Sequence, residues 1–258
     1  MIIRDYDRRL LAFCRRASKN VAAFAPSEPD SIEVCALAKA RFERAADWLE
    51  QHIERAKTEG VEAGEADQRF DAALNAANQS YSNIFKGLMA AFLVREASGT
   101  ASSDSHIKTL KVYLEGRTAS SFAQAAEDDK VSLMSGAVVL ADRFTGGLLA
   151  PEVLDQARQD AADLKRAWEN LLDEQAERSA ADRDLRKASA QSTRDYRVAR
   201  HWITGCLSDT EQNDRLAMIV PSLKDIYSSR STSPEDSAAD AAVDAPVDAP
   251  DEEPAPLF

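Results

Sequence analysis

The sequence predicts an all-α protein: a multi-helix bundle with one long coiled-coil-like helix and a disordered acidic C-terminal tail. Three observations predict it. Ala, Leu, Glu, Gln and Arg are abundant, and Pro151 is the only proline between Asp30 and Val220, a composition that favours helix over strand. From Pro151 to Ile203 no glycine or second proline interrupts a seven-residue apolar pattern. From Ser228 to Phe258 the composition changes, with five of the nine prolines, eight acids against one base and no periodic apolar face, the signature of a chain that cannot bury a core. The predicted organisation is a helical domain over residues 1–227, its long helix at 151–204, and a tail over 228–258. The tail carries −7 of the net charge of −12, so the body is only mildly acidic.

The elements follow in order. Ile3, Tyr6, Leu10, Phe13, Ala17 and Val21 recur at three- and four-residue spacings and predict a first helix over Ile3–Ala23, basic on its polar side. Asp30 and Glu33 have capping-box spacing. They open a second helix whose apolar stripe runs Ile32, Cys35, Ala38, Phe42, Ala45, Leu49, Ile53 and Ala56. Gly60 and Gly64 are read as a break. A third helix is expected from Glu65 to Ser98, striped by Phe70, Leu74, Ala77, Tyr81, Ile84, Leu88 and Phe92. It turns apolar on nearly every side near its end, which implies burial among several neighbours or in an oligomer. Short helices are expected around Ile107–Leu114 and from a Thr118 or Ser120 cap, then a strongly apolar one over Val131–Phe144, closed by Gly146–Gly147. Beyond Gly205, Leu216, Ile219, Leu223 and Ile226 predict a last short helix divided by Pro221.

Pro151 sits where a first-turn proline loses no hydrogen bond. With Leu154 at heptad position a, the seam passes through Leu164, Trp168, Leu171, Arg178, Asp182, Leu185 and Tyr196, with Gln175 also at a. Its ends are apolar and its middle polar. Asp155–Glu177 holds seven acids and three bases, whereas Arg183–Arg200 holds six bases and two acids. An apolar seam needs cover, from the chain's own helices or from a second copy. A parallel dimer would oppose like charges. An antiparallel pair centred near residue 180 sets Arg178 beside the partner's Asp182 and acidic half along basic half. Those seam residues are the expected self-association site, giving a homodimer or higher oligomer.

Arg183, Lys187, Arg194 and Arg197 fall on the outer side of the same helix and form a candidate face for an anionic ligand, either nucleic acid or a membrane surface. A curved antiparallel helix pair with such a face resembles membrane-bending BAR-like modules in outline. Chemistry is sparse elsewhere. His52 and His201 are isolated, no CxxC, HExxH or GxSxG motif occurs, and Gly146–Gly147 is not followed by Lys-Ser/Thr. No catalytic, cofactor-binding or metal-ligating residue is therefore assigned. Cys14, Cys35 and Cys206 are scattered and read as free thiols. The charged N-terminus lacks a secretory pattern, and the longest apolar run, Gly87–Val94, is too short to span a bilayer; a cytoplasmic protein is expected.

The tail ends in Asp251, Glu252 and Glu253 followed by Pro254, Ala255, Pro256, Leu257 and Phe258. An apolar pair beside acids suits a pocket rimmed by Lys or Arg. These eight residues resemble the acidic, phenylalanine-terminated tip of bacterial single-stranded-DNA-binding proteins, and that resemblance implies a tip that docks on a partner protein. The expected function is a non-enzymatic helical interaction or scaffold protein with a C-terminal docking tail. The alternative is non-specific binding of nucleic acid or anionic membrane through basic helical faces. The third reading is an enzyme whose site is not visible in the sequence.

Overall fold

Two helices account for half of the chain. The computed structural model describes residues 3–24, 26, 28–98, 105–146, 148–209 and 212–224, excluding the side chains of residues 105–107, 109 and 209. All regular structure among them is helical: α1 (Asp5–Ala23), α2 (Pro29–Ala97), α3 (Ser105–Gly116), α4 (Ala119–Gln124), α5 (Glu127–Phe144), α6 (Pro151–Asp209) and α7 (Leu216–Ile219), with a 3₁₀ turn over Asn213–Arg215. The all-α expectation holds. No described helix is long and apolar enough to cross a membrane.

The largest departure from the sequence reading is α2, one helix of 69 residues where a break at Gly60–Gly64 was expected. Ala56, Ala63 and Ala66 carry its buried side across the glycines. Packing there outweighs the roughly 1 kcal/mol that each interior glycine costs relative to alanine. A Cβ added at Gly60 or Gly64 would meet nothing within 4 Å. Gly60→Ala and Gly64→Ala are therefore each expected to stabilise the chain by about 0.5–1 kcal/mol, measured as a shift in the urea midpoint. Gly87, in the same helix, behaves oppositely: a Cβ there would lie 2.5 Å from Leu149 Cγ. Gly87→Ala should destabilise by about 1–3 kcal/mol through overpacking, less its gain in helix propensity.

Other boundaries shift for similar reasons. α6 does not stop before Gly205 but continues to Asp209, because Cys206 and Leu207 are buried. α5 starts at Glu127 rather than Val131; Glu127, Asp128 and Asp129 form its first turn, where carboxylates meet the positive end of the helix dipole. Thr118 caps α4 as expected, accepting from the Ser121 N–H at 3.1 Å. α7 ends before Pro221, while Ile226, Gly147 and the tail lie outside the described residues.

The chain divides into two compact units. Among the described residues, one comprises residue 3 and residues 48–190, the other residues 4–47 and 191–224. In the first, α2 and α6 lie antiparallel: Arg55 meets Asp184, Phe70 meets Trp168, and Ser80 meets Asp160. Asp160 is buried, with its two carboxylate oxygens accepting from Ser80 Oγ and Gln156 Nε2. Leu110, Leu114, Phe122, Met134, Ala137 and Ala141 join the same core. Tyr81 stacks on Phe122 at 4.1 Å, and its hydroxyl donates to Arg117 O. Near the end of α2, Leu88 and Ala91 are buried but Leu93 and Val94 are exposed, so the burial expected on every side is only partial.

The second unit packs α1 and α7 with the first turns of α2 and the last turns of α6, again antiparallel: Arg41 meets Asp195, and Ser192 Oγ donates to Ala45 O. Its core contains Leu10, Cys14, Val21, Phe42, Tyr196, Ile203 and Val220. Polar side chains tie down the end of α7 and the segment after it. Asn20 Nδ2 donates to Met218 O and Ile219 O, Arg200 Nε to Val220 O, and the Tyr196 hydroxyl to Pro221 O. At the start of α1, Asp7 is 1% exposed and held by Arg4 Nε and Nη2 at 3.1 and 3.0 Å, the paired geometry that a buried carboxylate requires.

Candidate functional site

In the first unit, the polar centre of α6 meets its counterpart on α2. Glu174 and Glu177, one turn apart on α6, converge with Glu59 of α2, so that carboxylate oxygens of all three lie within 4.8 Å of one another. Arg55 Nε stands 3.6 Å from Glu59 Oε1, and the Glu59 side chain is 13% exposed. The other oxygen of Glu59 and one oxygen of Glu174 are buried without a hydrogen-bond partner. Burial is the first cause pushing the Glu174 carboxyl above its ordinary value, followed by the negative charges of Glu62, Glu177 and Glu59; Arg69 opposes them.

An oxygen-only donor set of this kind holds a proton or a hard cation, not a thiophilic metal. The raised Glu174 favours the proton, which would turn an unpartnered acceptor into a donor. A carboxyl whose value is raised on folding binds its proton more tightly in the folded state, so its ionised form opposes folding. Stability from this group is accordingly gained as pH falls through the folded value and is complete below the ordinary one of 4.5. Glu174→Gln is expected to raise Tm near neutral pH, and the advantage should shrink as pH approaches 4.5. Thermal melts of both chains across that range check it; a lower Tm for the variant near neutrality would contradict it.

The polar centre expected from the heptad pattern of α6 is a different one: Gln175, Arg178 and Asp182. Gln175 is exposed, and Arg178 and Asp182 are half-buried. In this part of α6 the expected d residues Leu164, Leu171 and Leu185 are covered, and beside them Asp160, Ala181 and Ala188, one residue before expected a positions, of which Ser189 is also covered. Glu174 falls on the row of Asp160, Ala181 and Ala188. The sequence signal for the cluster was the Glu174–Glu177 spacing, but its third member was hidden by the supposed break beside Glu59.

Of the expected self-association residues, Leu164, Leu171 and Leu185 are buried in the first unit and Tyr196 in the second. Trp168 is half-buried against Phe70, ring centroids 5.3 Å apart. These side chains are covered within one chain. The basic face is open: Arg183, Arg194 and Arg197 are exposed, and Lys187, 78% exposed, has Asp184 at 3.4 Å. On α1, Arg8, Arg16 and Lys19 are exposed as well. The tail residues Asp251, Glu252, Glu253, Leu257 and Phe258 lie outside the described residues.

The site thus belongs to an all-α multi-helix protein whose long helices bury apolar seams and display charge. Comparison with family models, with characterised proteins and with solved structures finds no match.

Proposed function

We propose that the chain is a non-enzymatic interaction protein: an antiparallel coiled coil of α2 and α6 that serves as a helical scaffold and offers its acidic C-terminal tip to a partner protein. One observation carries the scaffold reading. Along α2 the covered residues Cys35, Phe42, Leu49, Ala56, Ala63, Phe70, Ala77, Ile84 and Ala91 recur every seven residues, the period of a supercoiled helix pair. A pair that covers its own seam leaves charged outer faces and a terminal arm as the parts that meet other molecules. Self-association through Leu164, Leu171, Leu185 and Tyr196 would have to exchange an α2 segment between copies, since those side chains are already buried within one chain.

The tip is tested by immobilising the full-length chain beside one lacking Asp251–Phe258, which keeps the rest of the tail and its charge. A partner protein should be retained by the first and lost by the second; equal retention would rule out the tip.

A second reading has its own support. Arg8, Arg16 and Lys19 on α1 and Arg194 and Arg197 on α6 are exposed and carry no ion pair among the described residues, as a surface for phosphate-rich nucleic acid or anionic lipid would require. Salt-dependent binding to DNA or to vesicles of anionic lipid would favour this reading. Failure with both at low salt would remove it.

A further inference from the structure

Two of the three cysteines, far apart in sequence, meet in the second unit. Cys35 lies near the start of α2 and Cys206 near the end of α6, and the antiparallel register marked by Arg41–Asp195, Phe42–Tyr196 and Ala45–Ser192 brings these two helix ends together. Neither is in a disulfide and both are buried, each 5% exposed. The two side chains are within hydrogen-bonding reach of one another. We propose that Cys35 and Cys206 form a modification site: a reversible disulfide that joins the start of α2 to the end of α6 when the chain meets a peroxide.

The position of the pair supplies access. α6 ends at Asp209, three residues after Cys206, and Gly205 weakens that turn. α2 begins at Pro29, less than two turns before Cys35. Terminal turns open at far lower free energy than helix centres. While the pair is closed, burial first and then Cys206 push the Cys35 thiol up to about 11, which suppresses the nucleophilic thiolate. Oxidation therefore proceeds from the opened state. Cys14 is buried mid-helix, and burial followed by the Asp195 charge pushes its thiol up to about 12, so it remains a bystander.

The chemistry balances with hydrogen peroxide as oxidant. One thiolate attacks a peroxide oxygen; an S–O bond forms, the O–O bond breaks, and the departing hydroxide takes a proton to become water. Reclosure places the second sulfur against the sulfenic sulfur at high effective concentration. Its thiolate attacks, the S–S bond forms, the S–O bond breaks, and a second water leaves. The two thiols lose two electrons and two protons in all, and a dithiol reductant returns them by exchange. The product staples α2 to α6 across a loop containing most of the chain, and so restricts the unfolded state.

The test uses the full chain, treated with hydrogen peroxide, blocked with an alkylating agent and digested with trypsin without reduction. Trypsin separates the three thiols into Leu10–Arg15, Asn20–Lys39 and His201–Arg215. The expected product is Asn20–Lys39 joined to His201–Arg215 with the loss of two hydrogens, in a monomer. It should vanish after dithiothreitol and in Cys35→Ser, and persist in Cys14→Ser. The oxidised chain should also melt above the reduced one. Links through Cys14, links between copies, or free or separately over-oxidised thiols at a dose that oxidises the urea-unfolded chain would overturn the proposal. Because the wild-type chain alone carries this outcome, a variant that fails to fold leaves the test intact.

Discussion

Leu164→Ala is expected to destabilise the first unit by about 2–5 kcal/mol, the range for removing a fully buried leucine from a close-packed core. Leu164 is fully buried in the core that also holds Phe70, Ala77 and Leu171. The loss should not depend on protein concentration, because the cover comes from the chain's own α2. A seam covered by a second copy would behave otherwise, its Tm rising as protein is added. Urea melts over a wide concentration range read both quantities together. A midpoint that climbs with concentration in the parent chain would show exchange of helices between copies.

Tyr196→Ala is expected to cost about 3–5 kcal/mol, comparable to removing other buried aromatics. Its ring is fully buried and meets Phe42 edge-on at 5.1 Å and 62°. Its hydroxyl donates to Pro221 O at 2.9 Å. Tyr196→Phe keeps the ring and removes the hydroxyl that donates to Pro221 O, a buried bond whose loss costs about 1–3 kcal/mol. The difference between the two variants separates ring packing from the bond that holds the segment after α7. Hydrogen exchange offers a sharper readout. The phenylalanine variant should lose protection around Val220 while retaining it at Ala199, and uniform loss at both would contradict this division of labour.

Most of the helices were legible because an amphipathic stripe reports which side of a helix is covered. The α1 stripe Leu10, Ala17 and Val21 is buried as read, and Pro151 opens α6. What the stripe does not report is who supplies the cover. Leu164 and Tyr196 look alike in a homodimer and in an intramolecular pair; only the packing of Phe70 against Trp168 and Arg41 against Asp195 identifies α2. Glycine misled for a definite reason. Its intrinsic cost is about 1 kcal/mol, and at Gly60, Gly64 and Gly205 the flanking buried residues outweigh it. The acidic cluster and the thiol pair were hidden for a different reason. Each joins residues on two helices, so neither exists in the sequence until the antiparallel register of α2 and α6 is known.

The three tryptophans give this architecture its own optical labels. Trp168 lies against Phe70 in the first unit, and Trp202 lies in the second beneath the Arg41 guanidinium, 5.1 Å from its ring centroid. Trp48, 49% exposed, tilts against His52 at 4.5 Å. A buried indole emits further to the blue than a wet one. Emission from a chain retaining only Trp168 therefore follows melting of the first unit, and that from a chain retaining only Trp202 follows the second. Coincident curves from the two would mean that the units unfold as one cooperative block, and separated curves that each keeps its own melting point.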